Sequence, residues 1–203
     1  MDKNKQAISV YNKIAKTYSR KFSNHSEHID EFLALIPKNG SIVDVGCGVG
    51  VNAEYMKSKN FDVIGIDFSK EMLKIAKQRF PQVKFRLHDF RKLNFKSDSF
   101  NGILASFSLI HIQKKDIPRT LKRFSKLLKI GGIIYLSFQA GRPREIFVNT
   151  PLDKNKKIFV DIVSYSEVKK RLVDSGFKIL KMYTRKPANS ELNFSKLFII
   201  ARK

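Results

Sequence analysis

The chain has 203 residues, 42% of them hydrophobic and 11% aromatic, which excludes a disordered chain and suits one domain with a proper core. Lys and Arg number 40 against 18 Asp and Glu, a net charge of +22. Such a balance favours polyanions such as nucleic acid, but the cations are spread along the chain, and a lysine-rich compositional bias gives the same number. The single cysteine, Cys47, excludes a disulfide framework and suits a reducing cytoplasm. No apolar run reaches the roughly 20 residues of a membrane span, and Met1 to Gln6 lack a signal-peptide core, so a cytoplasmic chain without membrane contact is expected.

Residues 5–21 carry Ile8, Tyr11, Ile14, Ala15 and Tyr18 at helical spacing. A second helix is expected over about 26–36, with Ile29, Phe32, Leu33 and Ile36 inward and Pro37 to Gly40 as its closing turn. Then come Ile42-Val43-Asp44-Val45-Gly46-Cys47-Gly48-Val49-Gly50. An apolar strand runs into three alternating glycines, and a helical pattern over Asn52–Lys59 starts at once behind them. That combination is a nucleotide-handling βα turn. A dinucleotide fingerprint, G-x-G-x-x-G, would need its third glycine at Val51. Here the pattern is Asp-x-Gly-x-Gly-x-Gly. An acid at Asp44 would repel a pyrophosphate but attracts a ligand that carries an ammonium group. Cys47 has no neighbouring base, so it reads as a small residue packed under a ligand and not as a nucleophile.

Phe61 to Asp67 is the second strand, and Asp67 lies about 20 residues beyond Gly46, where an acid bonds ribose hydroxyls. Ser69 is the expected N-cap of the next helix, with Glu71 in its first turn. Val83 to Leu87 is a third strand, ending in His88-Asp89-Phe90, and Ser99 to Ser106 a fourth. The loop Phe107 to Ile112 holds His111, whose ordinary pKa of about 6.5 suits it to take a proton, although it can equally bond a backbone carbonyl. Lys114 to Lys129 is an amphipathic helix, broken by Gly131-Gly132 before the buried strand Ile133 to Phe138. Residues 139–164 show no period and read as a long functional loop, where Arg142 and Arg144 are able to grip an anion. A glycine-capped helix over 166–176 and a hairpin of Phe177–Tyr183 with Phe194–Ala201 close the chain. No zinc-ligand spacing or Walker pattern occurs, so no metal is expected.

The glycine turn resembles motif I of the class I S-adenosylmethionine-dependent methyltransferases, and later landmarks arrive in that family's order. Asp67 matches the acid after the second strand, and Asp89-Phe90 those after the third. Leu93-Asn94-Phe95 resembles a Leu-Pro-Phe step without its proline, and Leu128-Lys129-Ile130-Gly131-Gly132 a pre-strand landmark. Tyr11-Asn12-Lys13-Ile14-Ala15-Lys16-Thr17-Tyr18 resembles the family's cap opening, with Asn12 in place of the usual acid. The resemblance implies a Rossmann-like α/β fold: a doubly wound seven-stranded sheet, parallel except for its last strand, under an N-terminal helical cap of residues 1–37. It implies a cofactor-binding half at 41–138 and an acceptor-pocket loop at 139–164. S-adenosylmethionine would be held by Tyr18, Asp44, Gly46, Cys47, Gly48, Gly50, Asp67, Phe68, Asp89, Phe90, Ser106 and Phe107, with His111 as the candidate base.

Methyl transfer needs two aligned reactants more than it needs a dedicated base. Three acceptor readings stay open: a small molecule, favoured by the short chain and compact cap; RNA of tRNA type, favoured by the charge and by a loose resemblance of the Val10-to-Gly50 region to tRNA wobble-uridine methyltransferases; or none, in a cofactor-binding protein without catalysis.

Overall fold

The computed structural model describes residues 3–189 and 191–203; Met1, Asp2 and Ser190, and the readings that touch them, lie outside the described residues. Helix α1 (Lys3–Lys21) buries Ala7, Val10, Ile14 and Ala15; of the predicted stripe, Ile14 and Ala15 are buried, while Ile8, Tyr11 and Tyr18 are half-buried, so the buried face is turned toward Ala7 and Val10. Helix α2 (Ile29–Leu33) is shorter than the predicted 26–36, because His28 at its start is left-handed, with φ 58°. Behind it, Leu35 and Ile36 continue as single turns bonded to the carbonyls of Phe32 and Leu33.

Strand β1 (Ser41–Val45) leads through the glycine turn to α3 (Val51–Ser58) and β2 (Asp62–Asp67). Helix α4 (Lys70–Arg79) starts where its cap predicts: Ser69 Oγ accepts the Met72 N–H at 3.2 Å. Strands β3 (Lys84–Leu87) and β4 (Phe100–Ala105) follow, then α5 (Ile117–Leu127) and the long β5 (Leu128–Ala140). Strands β6 (Arg144–Thr150) and β7 (Asp153–Val163), α6 (Tyr165–Val173), and β8 (Lys178–Arg185) with β9 (Ser195–Arg202) complete the chain.

The sheet core runs β3-β2-β1-β4-β5 in parallel, and β9 inserts antiparallel between β5 and β8. These are the seven strands the resemblance implies. Among the described residues the sheet nevertheless has nine strands, and the reason corrects the reading of 139–164 as an unpatterned loop. The segment is an antiparallel hairpin, β6 on β7, joined to β5 through Gln139–Ile162 and Ala140–Val163. Ile146 and Val148 are half-buried between exposed neighbours, while Ile158 to Val163 are buried throughout. Between the strands, Thr150 Oγ1 accepts the N–H groups of Leu152 and Asp153 and so makes the turn. Lysines at 154, 156 and 157 interrupt the apolar pattern and hide these strands from a periodicity argument.

Helices α1, α5 and α6 pack on one sheet face and α2, α3 and α4 on the other, giving two buried apolar layers. The strand order reverses between β1 and β4, so the turn after β1 and the loop after β4 open at the same end of the sheet. That switch point is where doubly wound sheets bind ligands.

Candidate functional site

At the switch point a cleft of about 510 Å³ runs from the glycine turn to the β6–β7 hairpin, and a smaller recess of about 60 Å³ joins it beneath Tyr11 and Tyr18. Gly46, Gly48 and Gly50 all have positive φ, at 71°, 54° and 87°, a conformation costly for any residue with a Cβ. Their neighbourhoods differ. A Cβ on Gly46 would meet Ser108 Cβ at 2.4 Å, whereas one on Gly48 would find nothing nearer than Tyr18 Cε1 at 3.9 Å. Space is open above Gly48, as a cradle for a ligand requires.

The tip of β2 is tied to this turn. Asp67 Oδ2 accepts the Gly48 N–H and Oδ1 the Ser69 N–H, each at 2.8 Å. A carboxylate has further lone pairs for a diol. Burial pushes Asp67 up to about 6 despite those backbone donors. Beneath the turn, burial and the nearby Asp67 push Asp44 up to about 8, offset only in part by the Ala53 backbone, and among the described residues its Oδ2 has no hydrogen-bond partner. Ser108 Oγ, on the recess wall, is likewise unpartnered. Neither acid takes part in any salt bridge among the described residues. A protein of net charge +22 therefore places two buried carboxyl groups here with no basic side chain paired to either among the described residues. Such a cradle fits a ligand with an ammonium or sulfonium group.

Phe68 and Phe90 pack against each other with centroids 5.3 Å apart and supply an apolar wall to the recess. Phe107, at φ 48°, is a left-handed non-glycine residue in the loop after β4, and its N–H donates to Ser137 Oγ at 2.9 Å. Such a conformation persists only where its surroundings impose it. Ser106 Oγ bonds both Ser137 Oγ and Ser26 Oγ, so the segment after α1 is fastened to the end of β4.

His111 sits buried at the junction of cleft and recess. Its Nδ1 lies 2.8 Å from the Phe159 carbonyl and its Nε2 2.7 Å from the Tyr11 hydroxyl. A carbonyl only accepts, so Nδ1 carries the hydrogen and Nε2 accepts from Tyr11. Burial lowers the imidazole to about 4, so it is neutral in this setting. Tyr11 is pushed well above its ordinary value by burial, and Tyr18 up to about 12.

Ten of the residues picked out from the sequence line this space: Tyr18, Gly46, Cys47, Gly48, Asp67, Phe68, Phe90, Ser106, Phe107 and His111. Three do not. Asp44 lies buried behind the turn, and a Cβ on Gly50 would meet Phe85 Cζ at 2.7 Å, so this glycine serves packing at the start of α3. Asp89 caps the short turn Phe90–Lys92 through the Arg91 N–H, and its carboxylate pairs with the Arg91 guanidinium at 2.7–3.1 Å. Burial pushes the Cys47 thiol well above its ordinary value, which keeps it protonated and unreactive. Sequence reasoning missed the partnership of Tyr11 with His111, and it missed Ser108, Gln139 and Lys196. A lysine inside a strand reads as exposed, and only the fold buries Lys196 to 1%.

A family model described as a methyltransferase domain matches residues 42–132. Phosphoethanolamine N-methyltransferase 3 of Arabidopsis thaliana is 30% identical over 145 residues, covering 68% of this chain and 28% of that protein. Demethylmenaquinone methyltransferase of Chlorobaculum parvum is 29% identical over 142 residues, covering 63% and 57%. The chain thus spans less than two thirds of either relative. A solved S-adenosylmethionine-dependent methyltransferase from Methanosarcina mazei superposes with a TM-score of 0.78 at 18% identity, over 89% of this chain and 99% of that one. Residues 42–132 thus match the methyltransferase-domain family, and the strand order and glycine turn already described are those of the class I S-adenosylmethionine-dependent methyltransferase fold.

Proposed function

We propose that the protein transfers the methyl group of S-adenosylmethionine to a nucleophilic O, N or S atom of a small-molecule acceptor. The observation that carries this reading is the single continuous cleft. It starts at the glycine cradle, passes the Tyr11–His111 pair, and ends against the β6–β7 hairpin, roofed by the segment after α1. The enclosure suits a reaction that depends on alignment and exclusion of water. The names of both curated relatives describe small acceptors, which favours the same class for this chain.

Asp67 would bond the ribose hydroxyls, Gly46 and Gly48 would pass under the methionine portion, and Asp44 would offset its ammonium charge through the backbone of the turn. Phe68 and Phe90 would cover the adenine. Asp89 is the proposed partner of the adenine amino group only as one half of its ion pair with Arg91. When bound, the cofactor supplies an electrophilic methyl group on a positive sulfur. The chain's own part in the chemistry is proton handling at Tyr11. As the acceptor atom forms its new bond its acidity rises. The Tyr11 oxygen then takes that proton while its own passes to His111 Nε2, with Nδ1–H anchored on Phe159. An imidazole lowered to about 4 is a weak resting base, so this transfer comes late and alignment contributes most of the rate.

RNA of tRNA type is the second reading, motivated by the +22 charge and the loose resemblance over Val10 to Gly50. Incubating the protein and labelled cofactor with a cell extract, with and without prior nuclease treatment, separates the two. Label in the small-molecule fraction that survives nuclease supports this proposal. Label that disappears with nuclease assigns the acceptor to RNA, and no label at all removes catalysis.

A further inference from the structure

At the far end of the cleft, the antiparallel register of β5 and β9 places Gln139 opposite Lys196. Both are buried, at 6% and 1% exposure. The Lys196 ammonium donates to Gln139 Oε1 at 2.8 Å and to the carbonyls of Leu192 and Phe194 at 2.7 and 2.8 Å, which uses all three of its hydrogens. Burial lowers its pKa to about 8, and Glu191 at 3.9 Å opposes that shift.

An ammonium only donates. The Gln139 amide is therefore held with its oxygen on Lys196 and its NH2 directed elsewhere. Among the described residues that NH2 has no hydrogen-bond partner, and Gln139 lines the cleft. That NH2 faces the cleft, so a ligand that covers it without accepting from it leaves a donor desolvated, at a cost of about 1–3 kcal/mol. A ligand oxygen that accepts from it avoids that cost.

The surrounding wall defines the rest of the ligand. Ile110, Pro151, Leu152, Ile158, Leu192 and Phe198 make it largely apolar. The basic groups at this end are already committed: Arg185 pairs with Glu191 at 2.8 Å and with Glu27 at 2.6 Å, and Lys196 is saturated as described; Lys21, the other lysine on the cleft, is exposed at the end of α1. A phosphate arriving here would find no unpaired buried cation and two carboxylates.

We propose that Gln139, oriented by Lys196, selects the acceptor, and that the acceptor is an uncharged, mostly apolar small molecule carrying a carbonyl-type oxygen apart from its methylated atom. This rests on the methyltransferase reading above. Gln139 is the specificity-determining residue and Lys196 the positioning one.

The test uses the protein saturated with S-adenosylhomocysteine and three size-matched probes: 4-hydroxyacetophenone, 4-ethylphenol and 4-ethylphenyl phosphate. Binding is read by calorimetry. The expected result is about tenfold tighter binding of 4-hydroxyacetophenone than of 4-ethylphenol, with the phosphate weakest. That preference disappears in Gln139→Leu. It also disappears in Gln139→Glu, which keeps a partner for Lys196 and so keeps the fold, as unchanged S-adenosylhomocysteine affinity would certify. Equal affinities, no binding of 4-hydroxyacetophenone, a preference that survives both substitutions, or a preference for the phosphate would each overturn the proposal while leaving the methyltransferase reading intact. Failure of the wild-type protein to bind S-adenosylhomocysteine would overturn both.

Discussion

Asp67 Oδ2 accepts the Gly48 N–H at 2.8 Å, so the acid at the tip of β2 both braces the glycine turn and borders the open space above it. Asp67→Ala removes that brace and the proposed ribose contact together. Cofactor affinity should fall at least about tenfold, the value of one or two charge-assisted hydrogen bonds. Calorimetric titration with S-adenosylhomocysteine checks it, and an unchanged Kd would remove Asp67 from the site.

The pH dependence follows from Asp44. Its carboxyl ordinarily titrates near 3.8, and the fold raises it to about 8. Between these values the folded protein keeps a proton that the unfolded chain gives up, so this group's contribution to stability falls as pH rises through that window and levels off above about 8. A cationic ligand favours the carboxylate and drives the proton off. Cofactor affinity should therefore increase from pH 6 to pH 8, with proton release near pH 7. Titrations in two buffers of different ionisation enthalpy measure the release, and Asp44→Asn should abolish it. Affinity that is flat across that range counts against an ammonium group near Asp44.

The Tyr11–His111 pair makes a different pH prediction. With the imidazole lowered to about 4, no inflection from His111 should appear in kcat/KM between pH 5 and 7. Tyr11→Phe should lower kcat by about 10²-fold, within the range for lost proton transfer, with little change in cofactor affinity. An inflection near 6.5 that vanishes in His111→Gln would show that the imidazole titrates freely and would refute the neutral pair.

Two neighbouring glycines should fail for different reasons. In Gly46→Ala the new methyl would meet Ser108 Cβ at 2.4 Å, so melting temperature and cofactor binding should both drop. In Gly48→Ala the methyl enters open space, and the backbone at φ 54° costs only about 1–2 kcal/mol. Binding should be lost there with most of the stability kept. Thermal denaturation beside titration distinguishes the cases, and a Gly48→Ala protein that binds normally would show that the cradle is elsewhere.

What the sequence determined by itself was local. Strand, glycine turn and helix at 42–59 are fixed by β-formers, by positive φ that favours glycine, and by a helical pattern within one short stretch, so Gly46, Gly48 and Asp67 were legible together with the parallel core of the sheet. The order of landmarks extended that reading to Phe90, Phe107 and His111, each next to the end of a strand. Three features depended on residues far apart in the chain. Tyr11 meets His111 across 100 residues, Lys196 is buried only because β9 inserts beside β5, and the hairpin of β6 and β7 is recognisable once Ile158 to Val163 have a sheet edge to join. Asp89 shows the converse, since its strand-tip position is readable but its pairing with Arg91 is not. Local patterns report backbone preference and amphipathic faces, whereas which buried polar atom is left without a partner, at Asp44 or Ser108, is settled only when every other group has found its own.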